Sequence, residues 1–366
     1  MSLTLPHVRT RLTDLAEQAG VSTATVSRVL NGKHGVSAQT RQAVLAALDM
    51  LGYERPEKLR TRSAGLVGLV VPELSNPVFP AFAQVIETML SQRGYTPLLC
   101  TQSPGGTTED QYVEMLLEHE VAGIVFVSGL HADTSASPER YHRLRSRGMP
   151  IVLVNGFADG VDAPAVSNDD LASMELAFRH LVSLGHKRIG LAIGPDRFVP
   201  AQRKVEGFAH NLARHFGEDD PAPHIVTTLF TVEGGQAAAG ELIDSGHTAI
   251  ICGSDLMALG AVRAARQRGL AVPDDLSIVG YDDSPLIAYT DPPLTTVRQP
   301  VQAMGHAAVS ALVSEINGAH ASRSELLFHP ELIVRSSTGA APTTPEAPLD
   351  APAPAGLSAS TATITA

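Results

Sequence analysis

The chain has no tryptophan, only 4% aromatic residues and just two cysteines among 366 residues. So few thiols exclude a disulfide framework and a Cys-rich zinc cluster. Cys100 and Cys252 lie in or beside apolar runs and are expected to be small buried hydrophobes of a cytoplasmic chain. No run of about 18 apolar residues occurs, so no membrane partner is expected. The N-terminus has no apolar stretch behind its charges, so no secretory signal is expected. Gly-x-Ser-x-Gly is missing, and no Gly-x-Gly-x-x-Gly follows an apolar strand. The fourteen histidines show no metal-ligand spacing; His210 and His215 are five apart and off one helical face. The chain is therefore not expected to be an enzyme, and no catalytic residue, metal or cofactor is expected.

Positive charge is also scarce overall, with a net charge of −11. It is unevenly placed. Residues 1–62 hold nine Lys/Arg against five Asp/Glu, net +4, while the remainder holds eighteen against thirty-three, net −15. A basic end on an acidic body is the electrostatic footprint of a chain that meets nucleic acid at one end.

The basic end carries the clearest pattern. Leu12, Leu15, Ala16 and Ala19 recur at helical spacing, and Gly20 supplies a tight stop. Ser22 can cap a second helix whose Val26, Val29 and Leu30 face inward. Ser37 can cap a third, with Val44, Leu45, Leu48 and Leu51 as its apolar stripe, ended by Gly52. Two helices about a glycine turn with a third bracing them make a helix-turn-helix, which lays its second helix in the DNA major groove. On periodicity alone, a small helical bundle without nucleic acid fits as well. Ser22, Thr25, Ser27 and Arg28 would supply donors to phosphates or base edges. Thr23 and Ala24 open the second helix where base edges are reached.

Asp14-Leu15-Ala16, Ala19-Gly20-Val21-Ser22, Thr25-Val26-Ser27-Arg28-Val29-Leu30-Asn31 and Val36-Ser37-x-x-Thr40-Arg41 resemble the headpiece of LacI/GalR transcription regulators. The resemblance continues through Asn76-Pro77-x-Phe79, Leu184-Gly185-His186-x-x-Ile189-Gly190, Met257-Ala258-Leu259-Gly260, Ile278-Val279-Gly280-Tyr281-Asp282-Asp283 and Pro293-Leu294-Thr295-Thr296-Val297. It covers about residues 10–338. It implies an all-α helix-turn-helix headpiece on an α/β core of two doubly wound parallel-sheet subdomains, similar to periplasmic sugar-binding proteins. The resemblance also adds Asn31 to the DNA-binding set. Between Tyr53 and Gly68, Arg55, Lys58, Arg60 and Arg62 surround a lone Leu59. This is a solvated basic linker, or a hinge helix with Leu59 as a minor-groove wedge. Leu59 keeps the family's nine-residue spacing to the first core-strand glycine, but the family's Ala-Arg-x-Leu pattern is absent.

From Leu66 onward apolar strand-like runs alternate with helical patterns, as in α/β doubly wound units. The expected partition is a headpiece over 1–52, a hinge over 53–65 and an effector-binding and dimerisation core over 66–338. Within the core, subdomain one takes about 66–160 plus 298–325, and subdomain two about 161–297 plus 326–338. A helix over Val301–Asn317 and a single strand over Glu325–Val334 are expected to cross back between the subdomains. Residues 339–366, rich in Ala, Pro and Thr, are expected to be a disordered tail without a tetramerising heptad.

In open parallel sheets ligands sit beyond the strand carboxyl ends. The candidate effector-binding residues there are Asn76, Phe79, Ser128, Asn155, Lys204, Phe230, Ser254, Asp255 and Asp282. They offer paired donors and acceptors for hydroxyls and aromatic faces for C–H groups. Asp255 is equally suited to a helix start; a turn for Asp282 and a core position for Phe230 are the alternatives to ligand contact. Family members commonly have Asp or Asn at 155, Arg at 204, Asn at 254 and Asp at 282. Lys204 and Ser254 depart from that, and the shorter Ser254 leaves a roomier pocket. The resemblance implies a homodimeric repressor released from double-stranded operator DNA by a small-molecule effector. The hinge and Phe230–Gly235 look like maltose-type or oligosaccharide-type members. The alternatives are a corepressor-dependent regulator binding a purine or other metabolite, and a sugar-transport protein, against which the headpiece argues.

Overall fold

The computed structural model describes residues 12–31, 33, 35–51, 64–102, 105–157, 160–319 and 321–342. Leu59 and residues 53–63 of the hinge expected over 53–65 lie outside them. The headpiece is three helices, α1 (Leu12–Gln18), α2 (Thr23–Leu30) and α3 (Ala38–Met50). Gly20 takes φ +64°, the left-handed turn that a β-carbon would strain. Ser22 Oγ accepts the Thr25 N–H at 3.1 Å and Ser37 Oγ the Thr40 N–H at 3.1 Å, so both expected caps form. Leu15, Val26, Val29, Val44 and Leu48 are fully buried and make a small separate core.

The body begins with β1 (Gly65–Val71), α4 (Val78–Gln92), β2 (Tyr95–Thr101), α5 (Glu109–Glu118), β3 (Gly123–Val127), α6 (Glu139–Ser146), β4 (Ile151–Val154) and β5 (Ala165–Asn168). It continues with α7 (Asp170–Ser183), β6 (Ile189–Ile193), α8 (Val199–Phe216), β7 (Ile225–Thr227), α9 (Val232–Asp244), β8 (Ala249–Cys252) and α10 (Asp255–Gln267). It ends with β9 (Ser277–Asp282), β10 (Thr295–Arg298), α11 (Val301–Ile316), β11 (Glu325–Phe328) and β12 (Glu331–Ile333). The strands form two six-stranded sheets, ordered β11-β5-β4-β3-β1-β2 and β12-β10-β9-β8-β6-β7. All pairings are parallel except β10 with β12. Central strands such as β3 and β8 are buried at every residue, because helices cover both faces. In the first unit α4 and α11 cover one face and α5 and α6 the other. In the second unit α9 and α10 cover one face and α7 and α8 the other.

Two expectations about the strands need correction, and one strand was not foreseen. Ala165–Ser167, placed with the second unit, belongs to β5, which pairs with β4 and β11 in the first sheet. The expected strand over Glu325–Val334 is two strands, one in each sheet, because Pro330 removes a donor between them. Thr295–Arg298 is a further strand in the second sheet. The chain therefore crosses between units three times, at 168–170, 298–301 and 328–331. The docked chain also runs past 338. The Gly339 N–H donates to Ser277 Oγ at 3.0 Å, and the Ala341 N–H to the Leu184 carbonyl at 2.8 Å. Four residues of the expected tail, 339–342, are thus described with the second unit.

Candidate DNA and effector sites

On the headpiece, Ser22, Thr23, Ala24, Arg28 and Asn31 are exposed, and Thr25 and Ser27 are half-buried. A shallow groove of about 350 Å³ runs between the starts of α2 and α3, lined by Ser22, Thr25, Arg28, Ser37 and Thr40. Its hydroxyls pair with one another, Ser22 Oγ with Thr25 Oγ1 at 2.9 Å and Ser37 Oγ with Thr40 Oγ1 at 2.8 Å. Such a face offers donors on small side chains, so a polyanion can approach the backbone. Asn31 is partly engaged: its Nδ2 donates to the Ser27 carbonyl at 2.8 Å.

In the body, the carboxyl ends of both sheets converge where the chain crosses between units. Four residues at or just past strand ends have positive φ although none is glycine: Ser128 (+44°), Asn155 (+58°), Asp282 (+113°) and Asp283 (+57°). Such backbone is costly and clusters where side chains must be re-aimed. Asn155, from the first unit, donates through Nδ2 to Gln299 Oε1 at 3.3 Å. Gln299 lies on a crossing, and its Nε2 donates to Asp282 Oδ1 of the second unit at 2.6 Å. Asn76 and the Lys204 charge both act on Asp282, each favouring its ionised form. Four expected residues, Asn76, Asn155, Lys204 and Asp282, are therefore brought together, with Gln299 as a linker that sequence reasoning missed. Burial, reinforced by the Asp255 charge, holds the Asp282 carboxyl well above the ordinary carboxylate range. A carboxyl so held can donate as well as accept.

Lys204, which stands where family members commonly have Arg, is buried and paired. Its Nζ donates to Asp170 Oδ1 at 2.7 Å and sits 4.0 Å from the Tyr281 ring centroid. Tyr281 OH donates to the same Asp170 oxygen at 2.5 Å, and Asn168 Nδ2 to the Tyr281 oxygen at 2.7 Å. Asp170, Tyr281 and Asn168 were not singled out as site residues from sequence; β5 and β9 are buried on both faces and show no alternation that would mark Asn168 or Tyr281, and Asp170 opens α7. Ser254 caps α10 by accepting the Met257 N–H at 3.3 Å. Asp255 is 1% exposed and ties down the neighbouring loop. Its Oδ2 accepts the Ser284 N–H and its Oδ1 the Thr296 hydroxyl, both at 2.7 Å. Burial nevertheless pushes its carboxyl up to about 6. Both residues are thus engaged within the second unit, whereas Asn155 and Asp282 are linked across the two.

Phe79 is half-buried against the first unit's core and Phe230 against the second's, leaving part of each ring uncovered. Phe230 lies over bare backbone. A β-carbon on Gly194, just past β6, would overlap its Cε2, Cδ2 and Cζ, and one on Gly253, just past β8, would stand 3.1 Å from Cε1. Among the described residues no cluster of His, Cys, Asp and Glu could hold a metal ion, and no helix is long and apolar enough to cross a membrane.

This arrangement has relatives. Residues 11–56 match the bacterial regulatory proteins of the lacI family, and residues 178–338 a periplasmic binding protein-like domain. The transcriptional regulator MalR of Streptomyces coelicolor is 63% identical over 336 residues, covering 91% of this chain and 98% of its own. A solved complex of the transcriptional regulator CelR with cellobiose is 31% identical with a TM-score of 0.67, covering 90% of this chain and all of that one. The lac repressor dimer bound to operator and an anti-inducer is 27% identical with a TM-score of 0.65, covering 90% and 99%. The three-helix headpiece, the two-sheet body and a relative of this likeness over nearly the whole chain lead to one conclusion: the chain belongs to the LacI family and is a DNA-binding transcription regulator, not an enzyme.

Proposed function

We propose that this regulator is a homodimeric repressor that a sugar, of disaccharide or larger size, releases from its operator in the cytoplasm. The observation that carries the reading is the chain Asn155–Gln299–Asp282, which joins both units through a crossing segment. A ligand hydroxyl that competes for either bond acts directly on the angle between the units. Asn76, Asn155 and Asp282 supply the paired donors and acceptors, Ser128 a half-buried hydroxyl, and Phe79 and Phe230 the apolar faces. Lys204, held by Asp170, orients the wall beside Asp282. Ser254 and Asp255 shape the floor. The relative bound to cellobiose supports a glucose-containing disaccharide as the effector class.

On DNA, Thr23 and Ala24 read base edges, while Ser22, Thr25, Ser27, Arg28 and Asn31 hold phosphates. Leu59 wedges in the minor groove at the centre of the site. One headpiece buries too little surface for tight specific binding, so two act together on a symmetric site. Dimerisation is placed at the first unit's flanking surfaces, near α4. The relative seen as a dimer on its operator supports the same assembly.

Calorimetric titration of the full chain with maltose and cellobiose, before and after binding to its operator, tests the reading. We expect one of them to bind wild-type protein and weaken operator binding by tenfold or more, with Asp282→Ala losing the response but still binding operator. A purine that strengthens operator binding, with neither sugar doing anything, would replace it with the corepressor reading. Arg28→Ala should weaken binding to all DNA sequences and reduce the salt slope by about one phosphate. An unchanged slope would remove Arg28 from the phosphate contacts.

A further inference from the structure

The two units touch at a second place, away from the crossings. The loop after β3 in the first unit meets the start of α8 in the second. The Thr134 N–H donates to the Arg197 carbonyl at 2.8 Å, and the Thr134 hydroxyl to the same oxygen at 2.9 Å. Arg197 Nε donates to Asp133 Oδ2 at 3.0 Å, and Asp133 forms an isolated antiparallel bridge with Phe198. Asp133 Oδ1 is fixed separately by the Ser135 N–H at 2.9 Å and the Ser135 hydroxyl at 2.5 Å.

The first-unit side of this contact is stiff. Glu109, 1% exposed, accepts the Leu130 N–H at 2.9 Å and Gln102 Nε2 at 3.0 Å on one oxygen, and the Tyr141 hydroxyl on the other. His131 Nε2 donates to the Val154 carbonyl at 3.1 Å. The loop is thus anchored to its own unit, and relative motion must be taken up between Asp133–Thr134 and Arg197.

The position gives this contact leverage. The crossings lie at the β11–β5 side of the first sheet and the β12–β10 side of the second. β3 stands two strands from β5, and β6 three strands from β10. At about 4.8 Å per strand the contact sits about 10–15 Å from the crossings. A rotation of about 15° on that arm opens it by about 3 Å, which takes every one of its bonds out of reach. The Arg203–Glu325 pair, two bonds of 2.8 Å, is also between units but lies on β11 beside the crossings, where the same rotation moves it little.

We propose that Asp133, Thr134 and Arg197 form a clasp that exists only when the cleft is closed, and that it sets the closed-to-open balance of the core before any effector arrives. The proposal rests on the regulator reading for its consequence, but not for its existence. Because one element of the clasp is a half-exposed ion pair, closure weakens with salt even where the effector is neutral. Asp133 and Arg197 are positioning residues: they need not touch a ligand to change its apparent affinity.

Amide hydrogen exchange on the full chain, with neither ligand nor DNA, reads the clasp directly. Segments 130–136 and 196–200 should lose protection about three- to tenfold in Asp133→Asn and in Arg197→Gln, and in wild type between about 0.05 and about 0.5 M NaCl. The double variant should lose no more than either single variant, and the 123–127 segment of β3 should not change. Should Asp133→Asn also expose β3, Arg197→Gln, on the half-exposed side, decides alone. Unchanged protection at 130–136 in Arg197→Gln would overturn the clasp. Operator titration then tests its role: both single variants should shift operator Kd in the same direction, by threefold or more. Lost protection with an unmoved operator Kd would overturn the regulatory assignment while leaving the effector reading to its own titration.

Discussion

Placing a methyl group under Phe230 tests how the cleft wall is built. Gly194→Ala adds a β-carbon where three ring atoms already stand, and Ile193 beside it is buried at the end of β6. Carbon atoms in contact settle at about 3.5–4.0 Å, so the ring must retreat by about 1–2 Å. Overpacking of this kind costs about 1–3 kcal/mol. The diagnostic is the double-mutant cycle. In a Phe230→Ala background the three nearest obstacles to the new methyl group are gone, so Gly194→Ala should then cost less than about 0.5 kcal/mol, leaving a coupling of about 1–2 kcal/mol. Urea unfolding of the four proteins measures this. The same displacement takes an apolar face from the cleft, so Gly194→Ala should also weaken binding of whichever disaccharide wild type binds. An equal cost of Gly194→Ala in both backgrounds would refute the argument, because strain would then lie in the backbone and not against the ring.

Two further outcomes follow from burial. Burial lowers the His131 pKa from 6.5 to about 4, with the nearby Glu109 charge opposing the shift. Between those values the unfolded chain binds the proton and the folded chain does not. The contribution of neutral His131 is therefore fully present above pH 6.5 and is lost as pH falls toward 4, amounting to about 3 kcal/mol. His131→Gln should flatten the decline of unfolding free energy over that window, and a parallel decline in both proteins would count against it. Ending the chain at Ser337 removes the bonds of Gly339 to Ser277 and of Ala341 to Leu184, and the Thr338 hydroxyl from His180. That truncation should cost about 1–3 kcal/mol, whereas ending at Pro342 should cost nothing measurable; equal melting temperatures for the two chains would show that the segment is not docked.

The headpiece was legible because its determinants are local. Leu15, Val26, Val29 and Leu48 recur at helical spacing, Gly20 permits one backbone turn, and Ser22 and Ser37 cap the next helices within three residues. The same holds for the alternation of apolar strands and helices, which by itself determined the fold class and the carboxyl ends at which Asn155 and Asp282 sit. What lay beyond reach depends on pairing between distant segments. No spacing rule says that Ala165–Asn168 joins the first sheet, since β5 is selected by its bonds to β4 and to β11, more than 150 residues later. Likewise Gln299 becomes a linker only because three crossings bring Asn155 and Asp282 to either side of it. Lys204 is paired because α7 places Asp170 beside Tyr281 of β9, and a buried ammonium needs a partner carboxylate at hydrogen-bond distance. Composition likewise marked 339–342 as tail, although backbone donors at Gly339 and Ala341 find acceptors on the second unit. The sequence thus determined the elements and the chemistry available at their ends. The tertiary structure decided which of those groups meet, because burial and hydrogen bonding are satisfied in space and not along the chain.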